Sequence, residues 1–221
     1  MTSLTHDQLA QRIATDIPEG AYVNLGIGLP TLIANYLPSD KDIFLHSENG
    51  LLGMGAYPEA DAIDPDLINA GKEPVTLLAG GAFFHHGDSF AMMRGGHLDI
   101  CVLGAYQVSA RGDLANWSTG NPQAIPAVGG AMDLATGAKK VYVMTNHLTR
   151  DGQSKIVEHC TFPLTGLGCI DRIYSDLAVM DVTEQGIVVT EILADITAQA
   201  LQEVTPVPLS FQLISQEVTH G

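Results

Sequence analysis

The sequence predicts an α/β fold, built on an open, mainly parallel central sheet with flanking helices and a C-terminal β-hairpin. Three observations carry this. Apolar runs of strand length repeatedly end in glycine turns and give way to helical spacing. The run Leu98–Gly104 is almost continuously apolar, as a strand covered on both faces requires. Two further runs, Leu177–Asp181 and Ile187–Glu191, flank Thr183-Glu184-Gln185-Gly186 and read as a hairpin.

The first element is a helix over Thr5–Ile17, with Leu9, Ala10, Ile13, Ala14 and Ile17 on one face. Thr5 and Gln8 have the spacing of a capping box. After Pro18-Glu19-Gly20, Ala21–Leu25 reads as a strand, and Gly26-Ile27-Gly28-Leu29-Pro30 turns the chain into a helix ending near Leu37. Ile43–Leu45 ends a buried strand just before Glu48 and the strong turn pair Asn49-Gly50. Residues Tyr57–Ala70, rich in Asp and Pro, form a surface loop. Val75–Ala79 is a strand closed by Gly80-Gly81, and Asp88-Ser89 start a short helix. The Leu98–Gly104 strand precedes a polar excursion, Gln107–Trp117, and a Pro/Gly loop, Asn121–Gly130. Ala131–Leu134 is a short helical piece, Lys140–Thr145 a strand, and Asp195 caps a last helix ending near Val204. No internal repeat or linker divides the chain, so residues 1–221 are expected to form one domain.

At 221 residues and 46% hydrophobic content the chain can bury an ample core. No apolar run reaches membrane-spanning length, and Met1–Gln11 is polar, without the basic and apolar segments of a signal peptide. A cytoplasmic protein with no membrane contact is the expectation. The net charge of −15 argues against a nucleic-acid partner. Cys101, Cys160 and Cys169 are far apart in sequence and read as reduced structural thiols.

Several chemistries are excluded by spacing. His85-His86, Asp88 and His97 match no metal-ligand pattern, so no metal is expected. There is no G-x-S-x-G, and Gly71-Lys72 is followed by Glu73 instead of the Ser or Thr of a P-loop. The loop Gly26-x-Gly28-x-x-Thr31 lacks the third glycine of a dinucleotide fingerprint, and the position twenty residues on is His46, not an acid. It reads better as a loop for an anionic ligand at a helix N-terminus. Glu158-His159-Cys160 reads as structural.

Glu48 remains. A carboxylate at the end of an α/β strand faces the crevice where ligands bind, and it is ionised at neutral pH without a helper base. It can attack a thioester to give a mixed anhydride, and then an enzyme thioester, keeping the acyl group activated throughout. Such a site must exclude water and offer N–H groups to the oxyanion, which glycine loops do without steric cost. On spacing alone Glu48 is equally an ordinary turn acid. A general base of a sugar-phosphate isomerase and a non-catalytic metabolite-binding subunit also stay open.

Three stretches narrow this. They are Ser47-Glu48-Asn49-Gly50-Leu51-Leu52-Gly53-Met54-Gly55, then Gly80-Gly81-Ala82-Phe83-Phe84 with Met92-Met93-Arg94-Gly95-Gly96-His97-Leu98-Asp99, and Gly129-Gly130-Ala131-Met132-Asp133-Leu134. Together they resemble the family I CoA-transferases, over about Leu9–Leu201, and in length the chain is similar to the B (β) subunit of two-subunit members. Ile125-Pro126-Ala127-Val128 precedes the Gly129-Gly130 pair, where acetoacetate-using relatives often carry Lys-Gly-Met. The resemblance implies a CoA-transferase-like fold and Glu48 as the nucleophile that becomes a glutamyl-CoA thioester. It implies transfer of CoA from succinyl-CoA to a 3-oxo dicarboxylate, 3-oxoadipate, in the breakdown of aromatic compounds. Coenzyme A is then a substrate, with no permanently bound cofactor. A partner A subunit, in an α₂β₂ assembly, is implied as well. Gly129 and Gly130 are expected to bound the acyl or pantetheine site, with Gly28, Asn49 and Gly80 added because they end neighbouring strands. The acidity of the chain suggests that the A subunit supplies cations for CoA, against the alternative of backbone dipoles with Arg94 and Arg111.

Overall fold

The computed structural model describes residues 2–121, 123 and 127–213. Ile125 and Pro126 of the family-like stretch, and the tail beyond Leu213, lie outside the described residues.

The elements in chain order are α1 (His6–Asp16), β1 (Tyr22–Leu25), a 3₁₀ helix (Leu29–Tyr36), β2 (Phe44–Ser47), β3 (Leu51–Met54), β4 (Leu77–Phe83), α2 (His86–Arg94), β5 (Ile100–Leu103), β6 (Gln107–Ser109), β7 (Leu114–Ala115), α3 (Ala131–Gly137), β8 (Lys140–Thr145), β9 (Ile156–Val157), β10 (Arg172–Ser175), β11 (Ala178–Thr183), β12 (Gly186–Ile192), α4 (Ala198–Glu203) and β13 (Leu209–Phe211). Ten strands form one sheet in the order β13-β12-β11-β10-β8-β5-β1-β2-β3-β4. Its centre, β10-β8-β5-β1-β2, is parallel. Antiparallel pairs extend it on both sides: β2-β3-β4 on one, β10-β11-β12 on the other. A separate sheet, β7-β6-β9, is made from the polar excursion and the segment after β8.

The parallel block explains the apolar runs. On β5, Cys101 and Leu103 enter one hydrophobic cluster while Ile100 and Val102 enter another. Alternate residues of a strand point to opposite faces, so the two clusters lie on the two sides of the sheet. One includes Leu134 of α3 and Leu201 of α4; the other includes Leu9, Ala10, Ile13 and Ala14 of α1. The Thr5 cap forms as expected: its hydroxyl accepts from the Gln8 N–H at 3.2 Å, and the Gln8 side chain accepts from the Thr5 N–H at 2.8 Å.

Several elements differ from expectation. The segment after Pro30 is a 3₁₀ helix, not an α-helix. At its start the Gly28 carbonyl accepts both the N–H of Thr31 (3.0 Å) and its hydroxyl (2.7 Å), which holds the first turn to i→i+3 closure. Strand β4 runs through Gly80-Gly81 instead of ending there. The backbones of β3 and β4 approach so closely that a Cβ on Gly53 would lie 2.9 Å from the Gly81 Cα, and the two glycines make this pairing possible. The N-cap of α2 is His85, whose ring nitrogen accepts from the Gly87 N–H, and that of α4 is Thr197, not Asp195. Glu158-His159-Cys160 follows the short strand β9.

Strand β4 is one of the two outer strands of the sheet among the described residues, and Leu78 and Phe83 on it are 52% and 67% exposed.

Candidate active site

The carboxyl ends of β1, β2, β5 and β8 open on one edge of the parallel block. There a cleft of about 410 Å³ is lined by residues including Asn24 and Gly26, Ser47 and Glu48, Leu103 to Tyr106, Thr145, Lys155 and Ala127 to Ala131. This is where an open α/β sheet places its ligand.

Glu48 sits on the turn between β2 and β3, closed by a hydrogen bond from the Gly50 N–H to the Ser47 carbonyl at 3.0 Å. Gly50 has φ +112°, and a Cβ there would overlap the Phe84 carbonyl, so the turn requires glycine. The Phe84 N–H donates back to the Gly50 carbonyl at 3.0 Å, clamping the turn to the end of β4. Held this way, the half-buried Glu48 reaches across the cleft to the start of α3. A Cβ on Gly130 would overlap Glu48 Oε2 and would stand 3.3 Å from the Phe90 ring. Gly130 is therefore the residue that makes room for the carboxylate. Burial pushes the Glu48 pKa above the usual carboxylate range; His86 opposes this and Asp133 adds to it.

Beneath Glu48 runs a buried polar chain. Asn24 Nδ2 donates to the His46 carbonyl at 3.1 Å and to His46 Nδ1 at 2.9 Å. With Nδ1 accepting, the neutral ring carries its proton on Nε2 and donates to Ser89 Oγ at 2.9 Å. Ser89 donates in turn to the Ser47 carbonyl at 3.4 Å. Desolvation lowers the His46 pKa to about 4, so the ring is neutral at physiological pH. The chain ties β1, β2 and α2 together directly below the turn that carries Glu48.

Of the residues expected at the site, Glu48, Gly129 and Gly130 come together in the cleft. Gly28, Asn49 and Gly80 do not line it. Gly28 is exposed at the start of the 3₁₀ helix, between the lining residues Ile27 and Leu29. Asn49 points outward, and its side chain donates to the Ile68 carbonyl at 2.7 Å, pinning the surface loop. Gly80 lies exposed within β4, on the outer side of the hairpin. Arg94 and Arg111 are also outside the lining; Arg94 is paired with Asp133 at 2.7 Å. The thiols are not activated: burial pushes Cys101 up, and Cys160 and Cys169 up to about 11.

Sequence reasoning missed Asn24, His46, Ser89 and Lys155. Asn24 carried a signal, being a polar residue within an apolar strand run. Lys155 carried none, because the cleft it enters is assembled from segments far apart in the chain.

Known proteins resemble this chain along most of its length. The coenzyme A transferase family model matches residues 6–203. The B subunit of 3-oxoadipate CoA-transferase from Acinetobacter baylyi is 66% identical over 202 residues, covering 91% of this chain and 93% of that protein. The protein of the same name from Pseudomonas putida is 66% identical over 206 residues, covering 93% and 96%. The B subunit of the Helicobacter pylori succinyl-CoA:3-ketoacid coenzyme A transferase is 45% identical, covering 94% and 99%. Among solved structures, an acyl-CoA transferase from E. coli O157:H7, crystallised as a thioester complex with CoA, has a similar fold, with a TM-score of 0.74 at 20% identity. That likeness covers 97% of this chain, which spans 43% of the length of the E. coli protein. With the family model spanning most of its length and close relatives matching nearly end to end, the chain belongs to the coenzyme A transferase family.

Proposed function

We propose that this chain is the nucleophile-bearing B subunit of an enzyme that moves CoA from succinyl-CoA to 3-oxoadipate, working with a separate A subunit. The observation that carries the reading is Glu48: a half-buried carboxylate in the cleft, with room made for it by Gly130. The substrates are those named for the 66%-identical relatives and, for succinyl-CoA, the 45%-identical one.

The reaction runs through four displacements at acyl carbon. The Glu48 carboxylate attacks the thioester carbonyl of succinyl-CoA, and the CoA thiolate leaves, giving a mixed anhydride. The thiolate then attacks the Glu48 carbonyl carbon and expels succinate, leaving the glutamyl-CoA thioester. The acceptor carboxylate attacks that thioester and releases CoA thiolate again. Attack of the thiolate on the acceptor acyl carbon gives 3-oxoadipyl-CoA and restores the Glu48 carboxylate. No water enters and no redox step occurs. Amides at the start of α3, where Gly130 lies against Glu48, are the donors we assign to the oxyanions. Partial desolvation strengthens Glu48 as a nucleophile once it is ionised. One domain over residues 1–221, a cytoplasmic α₂β₂ assembly, CoA as substrate with no resident cofactor, and a place in aromatic-compound breakdown belong to the same proposal.

The test is to incubate the chain and its A subunit with succinyl-CoA, digest, and weigh the peptide holding Glu48. A CoA adduct there, absent in Glu48→Gln, is the expected result. An adduct on another residue, or no adduct with turnover intact in Glu48→Ala, would overturn it.

A further inference from the structure

We propose that Lys155 reads the second carboxylate of a dicarboxylic acyl group and so sets the cleft's preference for diacids over monoacids. This rests on the transfer reading above and names what recognises the far end of its substrates.

The first support is charge. In a chain of net charge −15, the described residues that line the cleft include one cation, Lys155, and one anion, Glu48. A succinyl group or a 3-oxo diacid reacts at one carboxyl carbon and keeps a free carboxylate at the other end. With the reacting carbon at Glu48, that free carboxylate needs a counter-charge elsewhere in the same cleft.

The second support is position. Lys155 Nζ donates to Thr145 Oγ1 at 3.0 Å and to the Ala105 carbonyl at 3.4 Å, at the carboxyl ends of β8 and β5. Strands β8, β5, β1 and β2 are successive neighbours. The ammonium thus stands two to three strand spacings, about 10–14 Å, along the edge from the turn bearing Glu48. Both side chains line the same cleft, and a short diacid with its reacting end at Glu48 is of a length to reach the ammonium.

The third support is incomplete satisfaction. An ammonium has three donors, and two are engaged by neutral oxygens. Burial lowers the Lys155 pKa, opposed by the nearby Asp176. A charge so placed gains from an incoming carboxylate more than a fully hydrated lysine would. A monoacid offers nothing to this ammonium.

The test uses the assembled enzyme with its A subunit. In a double-displacement scheme, kcat/KM for the acceptor reports only the half-reaction that starts from the enzyme thioester. Compare 3-oxoadipate with acetoacetate as acceptors. In Lys155→Met the diacid-to-monoacid ratio of kcat/KM falls by about tenfold or more, through a raised KM for the diacid, as loss of a charge-assisted contact implies. Lys155→Arg retains most of the preference. A ratio unchanged in Lys155→Met, whether both rates fall together or neither does, overturns the proposal and leaves Lys155 as a brace between β5 and β8. A second measurement needs no variant: on the unsubstituted enzyme, glutarate inhibits more tightly than pentanoate, by about tenfold or more. Equal inhibition overturns the proposal too. Failure to find CoA on Glu48 removes the transfer reading alone; the inhibitor comparison, repeated in Lys155→Met where the difference should be lost, does not depend on the thioester and still decides the role of Lys155.

Discussion

Two turns of the sheet are built from nearly the same letters. Ser47-Glu48-Asn49-Gly50 joins β2 to β3, and Thr183-Glu184-Gln185-Gly186 joins β11 to β12. Both connect antiparallel neighbours, and both close on a glycine with similar backbone geometry, φ +112° at Gly50 and +114° at Gly186. Yet Glu184 is exposed while Glu48 is half-buried. A Cβ on Gly186 would meet nothing, whereas one on Gly50 would strike the Phe84 backbone. The chemistry of a turn acid is thus decided by what packs over it. At Glu48 that is α3, α2 and the end of β4. At Glu184 it is solvent.

The sharpest way to break this contrast is to remove each acid. Glu48→Ala should reduce CoA transfer by about 10⁴-fold or more, the scale of losing an enzyme's nucleophile. Glu184→Ala should leave kcat and KM as they are. Comparable losses in both would refute the assignment of Glu48.

Next comes the glycine beside each acid. Gly130→Ala keeps an allowed backbone, φ −79°, but drives a methyl group into the Glu48 carboxylate. Steady-state kinetics should show kcat reduced by about 10²-fold, typical of a reacting group displaced by an ångström, with little change in Tm. Gly186→Ala should do the reverse. It strains a positive-φ position at a cost of about 2 kcal/mol, read as a lower Tm, and spares transfer.

The smallest expected effect concerns pH. Folding raises the Glu48 pKa, so the folded state binds that proton more tightly than the unfolded chain does. The resulting destabilisation is full above the folded pKa and disappears below the unfolded value near about 4.3. Glu48→Gln should therefore raise Tm at pH 7, on the order of a degree or two, and the gain should vanish near pH 4. Activity moves the other way: kcat/KM of the unsubstituted enzyme should decline on acidification at a higher pH than an exposed glutamate would dictate. A Glu48→Gln melting curve parallel to the parent's at every pH would remove the burial argument.

The two turns also show how far a sequence can be read. Both were legible as turns, because Asn-Gly and Gln-Gly between apolar runs are local signals. The capping box of α1 and strands β1, β5, β8, β11 and β12 were legible for the same reason. Strand β3 was not: its interior Gly53 reads as part of a glycine turn, and its pairing depends on Gly81, well along the chain. Strand β10 begins with Arg172, an unpromising residue for a central strand. Its guanidinium is accommodated by a two-bond pair with Asp181 on β11 and by Asp16 at the end of α1. The buried His46–Ser89 contact spans 43 residues of sequence, and Lys155 meets its cleft partners Ala105 and Thr145 from another sheet's border. The family-like stretches pointed to Glu48, Gly129 and Gly130, which line one cleft. Gly28, Asn49 and Gly80, chosen as strand ends, do not line the cleft, although Gly28 stands between the lining residues Ile27 and Leu29.

Strand β4 has a consequence for handling the protein. An outer strand with free hydrogen-bonding groups and exposed Leu78 and Phe83 is a template on which other chains can add. What opposes such stacking is the acidic surface, which keeps copies apart by mutual repulsion at neutral pH and low salt. Colloidal stability of the free subunit therefore falls as the solution approaches its isoelectric point near 4.6, or as added salt shortens the range of that repulsion.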